Sequence, residues 1–258
     1  MFALRRRGLA LYIEADIWHD RHDLAHAFGT RWCGDAMPPT GGDVEGANES
    51  PGAVTMAGIL EAPSSRVITA IQVHGDDILM VDGTDADTAR RLTGDGLVTD
   101  RPEVAVGIRT ADCVPLLMFD PRRRVIGAIH AGWKGAVLDI AGKAVGVFAD
   151  RFLSNPGDIN AVVGPSVGRC CYDVGPEVIR AMSGRPWSDG LFDSGRPDGR
   201  SMFDLGRAVT CQLVDSGLDP KNIVTIPLCT SCRDDLFYSH RAEGGRAGRQ
   251  ISAIMLRE

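Results

Sequence analysis

The sequence predicts a single α/β domain, a mixed sheet covered by helices. Three observations lead there. Apolar β-type runs alternate along the chain with segments whose apolar residues recur at helical spacing. The chain has 258 residues, long enough for one large α/β unit with a real core. No internal repeat or low-complexity block interrupts it. With 44% hydrophobic and 24% charged residues, it has the balance of a globular protein rather than a disordered one.

Taken in order, "GLALYIEADIW" is interrupted by Glu14 and Asp16, so it reads as a strand pair rather than a signal peptide or membrane helix. Residues 36–65, rich in Pro, Gly and small polar residues, lack a sustained period and read as a long irregular loop. "RVITAIQVHG" and "DILMVD" read as strands joined by a turn at Gly75-Asp76. "EVAVGIRTADCVPLLMFD" holds two β-rich pieces around Arg109-Thr110, and "RRVIGAIHAG" is the next strand. The period then changes: Val137, Ile140, Ala144, Val147 or Phe148, and Phe152 mark a helix. "INAVVGPS" returns to strand, and "GPEVIRAMSG" is a helix with Pro176 in its first turn and Gly184 after its end. Residues 188–201 are a polar, Gly-rich loop. "FDLGRAVTCQLVDSGL" is helical and stops at Gly217. "NIVTIPLC" and "RQISAIMLRE" are closing strands.

Net charge is −6, which offers no field for nucleic acid, and no segment is long and apolar enough for a membrane. The expected setting is the cytoplasm. Seven cysteines, an odd number in a chain that is not small, argue against a secreted disulfide framework. Cys170 and Cys171 are adjacent, and Cys229 and Cys232 form the single CxxC. A four-cysteine zinc site calls for a second pair of similar spacing, which the chain lacks. The expectation for Cys229 and Cys232 is therefore a thiol pair near packed strands, with metal or redox roles as alternatives.

Three groups of histidines need weighing. His74 precedes the turn of "QVHGDD", Cys113 lies in the apolar run "TADCVPLL", and His130 ends the strand of "GAIHAGWKG". On regular strands Ala111, Cys113 and Pro115 share a face, as do Ala128 and His130. Two imidazoles and a thiolate are good zinc ligands, and three protein ligands leave an open position of the catalytic kind. Spacing alone favours the other reading, a core cysteine with two packed histidines. His19, His22 and His26 would share a face on a helix, but Asp20, Asp23 and the neighbouring β-type runs favour a solvated surface. His240 and Arg241, before a glycine-rich loop, either reach a site or form the basic rim of a turn.

The strings "HAFGTR", "QVHG", "DGLVTD", "TADCVPLLMFDP", "AIHAGWKG", "GPSVGRCCYDVG" and "FYSHRAEGGRAGRQ" occur in this order over most of residues 26–252. Together they resemble the YfiH family, long labelled multicopper polyphenol oxidase (laccase). Its members are described as purine nucleoside phosphorylases with adenosine deaminase and methylthioadenosine phosphorylase activity, and some as peptidoglycan editing factors. The resemblance implies a layered α/β/β/α fold, similar to a deamidase toxin domain that uses a Cys-His pair. It implies that the metal ligands, and with them the catalytic centre, are His74, Cys113 and His130. The family's usual Gly-Gly and Ser-Leu-Asn segment, with the Asn-Arg-rich helix after it, has no counterpart in residues 36–65, so one pocket wall is expected to differ.

The resemblance thus implies a zinc enzyme whose partners are small molecules, a purine nucleoside and phosphate. Arg31, Gln72, Asp112, Lys134 and Arg241 are the candidate substrate-binding residues. On a regular strand Asp112 would face away from Cys113, and it could serve as an acid–base group only if the strand bulged. The common deaminase signature, H-x-E with P-C-x-x-C, is absent, so deamination would follow a different lineage. A four-copper cluster needs on the order of ten histidines, and this chain has six and no His-x-His. A single copper on two histidines and one cysteine, giving laccase-like activity, is an alternative cofactor reading. Another enzyme class needs no metal: Cys113 as a nucleophile activated by His130, an amidase or hydrolase acting on a peptidoglycan-related substrate. A metal-buffering or cell-wall-linked partner protein is the non-enzymatic alternative.

Overall fold

A computed structural model describes residues 1–37, 50–62, 67–82, 93–193 and 197–258. In chain order, strands β1 (Phe2–Arg7) and β2 (Ala10–Ala15) form the expected hairpin. Gly8 turns it with φ +61°, a conformation open to glycine at no steric cost. Next come β3 (Leu24–Gly29), helix α1 (Pro51–Leu60), β4 (Ile78–Met80), β5 (Gly96–Thr99), β6 (Ala105–Thr110), β7 (Val114–Asp120) and β8 (Val125–Ala131). Helices α2 (Trp133–Val137) and α3 (Ile140–Phe152) follow, then β9 (Asn160–Val163), β10 (Asp173–Val174), α4 (Pro176–Met182), β11 (Ser201–Met202), α5 (Leu205–Asp215), β12 (Ile223–Thr225), α6 (His240–Glu243) and β13 (Gln250–Leu256).

Among the described residues, two large sheets form. One is antiparallel throughout, in the order β1-β2-β3-β13-β6, and the other is mixed, in the order β12-β9-β7-β8-β5-β4. Period-2 alternation assigns their faces. In β7, Leu117 and Phe119 join Phe28, Ile108 and Ile254 between the sheets, whereas Leu116 and Met118 pack on Val145, Phe148, Val209 and Leu213 of α3 and α5. In β13, Ile251, Ala253 and Met255 turn outward onto Ala53, Met56, Ala57 and Leu60 of α1. The result is the layered α/β/β/α arrangement that the resemblance implied, with a mixed sheet covered by helices.

Three local expectations are corrected. Within residues 36–65, read as loop, 51–60 are helix α1; residues 38–49, 63 and the two serines after it lie outside the described residues. Ser50 caps α1, Pro51 starts it, and Glu61 ends it in the left-handed conformation. Gly58 weakens it by about 1 kcal/mol relative to alanine, whereas burying Met56, Ile59 and Leu60 contributes about 1.5–3 kcal/mol apiece. Packing therefore decides this helix, which its small residues concealed. A β-carbon on Gly52 would lie 2.7 Å from the Gly34 carbonyl oxygen, so glycine permits the close approach. The strand expected before His74 is reduced to isolated bridges at Ile68 and Ile71, because the chain there runs over the sheet edge. The single helix expected after Gly135 breaks at Asp139, whose φ is +63°.

Candidate metal centre and its pocket

Cys113 does not lie within a strand. β6 ends at Thr110 in the antiparallel sheet and β7 begins at Val114 in the mixed sheet, so Ala111–Cys113 is the bend where the chain crosses between sheets. Asp112 takes φ +88° to make that crossing. A strained conformation of this kind persists only where its surroundings fix it. Here they do. One carboxylate oxygen accepts from the Thr230 hydroxyl at 2.6 Å and the Ser239 hydroxyl at 2.7 Å, and the other from the Arg241 backbone N–H at 2.6 Å. The Val167 N–H donates to the Asp112 carbonyl at 2.9 Å. Asp112 thus ties three segments to the bend, and its carboxylate is occupied in doing so.

His130 closes β8 and is buried, and His74 lies on an exposed bend with φ +60°. Asp95, fully buried just ahead of β5, joins them. Its carboxylate accepts N–H bonds from Val73 (3.2 Å), His74 (3.0 Å) and Gly75 (2.7 Å) and lies 2.7 Å from Nδ1 of His130. Burial alone would raise the Asp95 carboxyl, but the His130 ring and these amides hold it below its ordinary value. With Nδ1 engaged, Nε2 is the His130 nitrogen left for other chemistry.

The ligand atoms of His74, Cys113 and His130 all lie within 4.8 Å of one another. The two imidazoles are 4.9 Å apart and nearly perpendicular. Burial would raise the Cys113 thiol, yet the His130 charge, with hydrogen bonds from both histidines, draws it down to about 6. Burial would lower His130, but the Cys113 thiolate and the Asp95 bond raise it to about 9. Both shifts run toward charge separation, Cys113 toward thiolate and His130 toward imidazolium, with the His74 ring beside them. Gly132 leaves it room: a β-carbon there would sit 3.1 Å from both Cys113 Sγ and His74 Cδ2.

The trio lines a cavity of about 860 Å³. Of the other sequence candidates, Gln72, Asp112 and Arg241 line it too, while Arg31 and Lys134 are not among its lining residues. The Gln72 amide is spent on both backbone groups of Arg109, at 2.8 Å each. Arg31 packs over Tyr238 and pairs with Glu243, and Lys134 is exposed above Trp133. Arg241 lies over Tyr172 and donates to the Asp173 carbonyl. Sequence reasoning missed Asp95, Arg109, Arg249 and Tyr172. For Arg109 there was a signal, a charge interrupting a buried strand, and one nitrogen of its guanidinium is buried with no partner among the described residues. Asp95, between two glycines, carried none.

His26 is neither on a helix face nor on the solvated surface expected for it: it is buried. It lies in β3 with Nε2 accepting the Ala15 N–H at 2.8 Å, edge-on to Trp18. The four thiols that spacing set aside as a zinc site, Cys170, Cys171, Cys229 and Cys232, do come together. β9 and β12 are parallel neighbours, so the loops leaving them run side by side, whatever the spacing in sequence.

Comparison with known proteins places these features. The chain is 39% identical over 171 residues to purine nucleoside phosphorylase YlmD of Bacillus subtilis, covering 66% of this chain and 61% of that protein. The crystal structure of YlmD from Geobacillus stearothermophilus superposes with a TM-score of 0.87 at 30% identity, covering 99% of both chains. Adenosine deaminase RL5, from an unknown prokaryotic organism, is 32% identical over 161 residues, 62% of this chain and 61% of that one. In two of these three relatives, then, the aligned part spans under two thirds of the relative's length. The family model described as multi-copper polyphenol oxidoreductase laccase matches residues 50–257, and the chain belongs to that family.

Proposed function

We propose that this protein is a purine nucleoside phosphorylase acting on adenosine, inosine, guanosine and methylthioadenosine, with adenosine deaminase activity, and that zinc is held by His74, Cys113 and His130. The observation that carries this reading is the convergence of two imidazoles and an acidified thiol in one pocket. The donor set fits the ion: His130 is oriented by a carboxylate on its far nitrogen, as zinc-binding histidines commonly are, and Cys113 is readily ionised. The names of the relatives support the substrate class.

When bound, zinc supplies Lewis acidity toward an oxygen ligand. The chain's own residues do the rest. Asp95 fixes the His130 ring and the His74 bend together. Arg109, Arg241 and Arg249 give the cavity three guanidinium groups suited to a phosphate dianion and to charge that develops as it attacks. In phosphorolysis a phosphate oxygen bonds to the anomeric carbon, and the purine leaves with the glycosidic electron pair and takes up a proton. In deamination water adds to the amino-bearing ring carbon and ammonia leaves. Trp133 and Tyr172 offer flat apolar walls for the base, and the cavity is of small-ligand size.

The test is a nucleoside panel with phosphate, run on zinc-replete protein and on Cys113→Ala. The proposal expects phosphate-dependent release of purine base from the first and its loss in the second. Equal activity in both would overturn it. Copper-loaded protein assayed on a phenol addresses the laccase-like alternative.

One observation favours a second reading. Asp95, His130 and Cys113 are aligned as an orienting acid, a base and an acidified nucleophile, the arrangement of a cysteine amidase. Such an enzyme would act on a peptidoglycan-related amide without metal. Iodoacetamide separates the readings. A zinc-bound Cys113 labels only after chelation, whereas a free nucleophile labels at the same rate with or without chelator.

A further inference from the structure

We propose that Cys170, Cys171, Cys229 and Cys232 form a second metal site, a four-thiolate centre for a borderline-soft divalent cation of the zinc class, set in the wall of the catalytic pocket. Their sulfurs all lie within 4.8 Å of one another; Cys232 Sγ is 3.5 Å from that of Cys170 and 3.3 Å from that of Cys171. Four sulfurs about 2.3 Å from a common tetrahedral ion would be roughly 3.8 Å apart, so the cluster is already compact enough for one ion.

The surroundings are built for close approach. Ser166 and Cys229 continue the parallel pairing of β9 and β12, with the Ser166 N–H on the Leu228 carbonyl and the Thr230 N–H on the Ser166 carbonyl. The Cys171 and Tyr172 N–H groups close a turn on the Gly168 carbonyl, which folds the adjacent cysteines back toward the CxxC. The Gly168 N–H donates to Cys229 Sγ at 3.2 Å. A β-carbon on Gly168 would lie 3.1 Å from Cβ of Cys229 and 3.3 Å from Sγ of Cys170, so glycine at 168 lets the loops approach without crowding. The N–H aimed at Cys229 Sγ favours its thiolate, and a divalent cation among the four sulfurs would stabilise all of them in that form. On binding, each thiol gives its proton to solvent and no electrons are transferred.

The position gives the site a use. Thr230, between the CxxC cysteines, donates to Asp112, which shapes the bend that presents Cys113. Tyr172, directly after Cys171, lines the cavity beneath Arg241. An ion on these sulfurs clamps two loops of the pocket wall to each other, a structural role distinct from the open centre at His74, Cys113 and His130.

The test is metal analysis of anaerobically purified Cys113→Ala, in which the catalytic centre is disabled, together with its cobalt-substituted form. The proposal expects one equivalent of zinc in that variant, and a sulfur-to-cobalt charge-transfer band as strong as four thiolates give. Adding Cys232→Ser to the same background should abolish both. If the double variant fails to fold, the cobalt spectrum of Cys113→Ala decides alone. Loss of all zinc in Cys113→Ala would overturn the proposal. So would thiol titration of the denatured wild-type protein that finds three reactive cysteines instead of seven, since the four would then be paired as disulfides. Failure of the catalytic-centre reading looks different: wild type and Cys113→Ala would then each hold the same single equivalent.

Discussion

The Asp95 carboxylate lies 2.7 Å from Nδ1 of His130 and also accepts the backbone N–H of His74, so one buried side chain positions both imidazoles of the candidate centre. Asp95→Asn keeps the shape but offers an amide where a carboxylate stood. An NH₂ facing Nδ1 forces the ring proton onto Nε2, the nitrogen a metal needs bare. Zinc affinity and phosphorolysis should both fall about 10–100-fold. Zinc competition titration beside steady-state kinetics checks this, and unchanged affinity would reduce Asp95 to a brace for the bend.

Gly132→Ala should damage the centre by crowding. Its backbone angles are ordinary for alanine, so the effect is steric, from a β-carbon 3.1 Å from Cys113 Sγ and His74 Cδ2. Overpacking of this kind costs about 1–3 kcal/mol, so the melting temperature should drop by about 5 °C. Activity should fall by at least about tenfold, because the crowded side chains belong to the candidate centre. An active variant with normal zinc content would show that the trio tolerates displacement.

Stability should decline with acid through His26. Burial holds its folded pKa down at about 4 against 6.5. Between those values the unfolded chain takes up a proton that the folded one refuses. The contribution is complete above pH 6.5, is reduced by about 2 kcal/mol at pH 5, and is lost by about pH 4. Urea unfolding at pH 7 and pH 5 checks the sign. His26→Gln, which can still accept the Ala15 N–H, should show a flatter pH profile; matching profiles would assign the decline to other groups.

Arg241→Ala should separate the two proposed reactions. Removing one guanidinium from the cavity should raise the KM for phosphate about tenfold, equivalent to about 1.4 kcal/mol. Deamination, which uses water instead, should change much less. If both reactions fell together, Arg241 would be shaping the wall through Tyr172 rather than binding the anion.

How much was legible varied with the physics of each element. β7, β8 and β13 announce themselves as continuous apolar runs because both of their faces are buried, and α3 and α5 because their apolar residues recur at helical spacing. α1 does not: Gly52, Ala53, Ala57 and Gly58 carry little hydrophobic signal, and the helix exists because β3 and β13 offer a surface for it. Arg31 and Lys134 were plausible as charges near the right motifs, but their side chains go to Tyr238 and Trp133. Asp112 was expected on the far side of a strand. It instead makes the bend, because crossing between sheets requires a backbone conformation that no regular strand has.

By itself the sequence determined the fold class and, through the family resemblance, singled out the trio as the candidate centre. Periodicity encodes burial, and the ordered strings around His74, Cys113 and His130 carry the family resemblance. Only the tertiary structure decided what surrounds them: the Asp95 bond between two imidazoles, the arginines of the cavity, and the meeting of Cys170 and Cys171 with Cys229 and Cys232. Those contacts join segments far apart in the chain. They depend on which strands become neighbours, and strand order is a property of the packed sheets that no local pattern records.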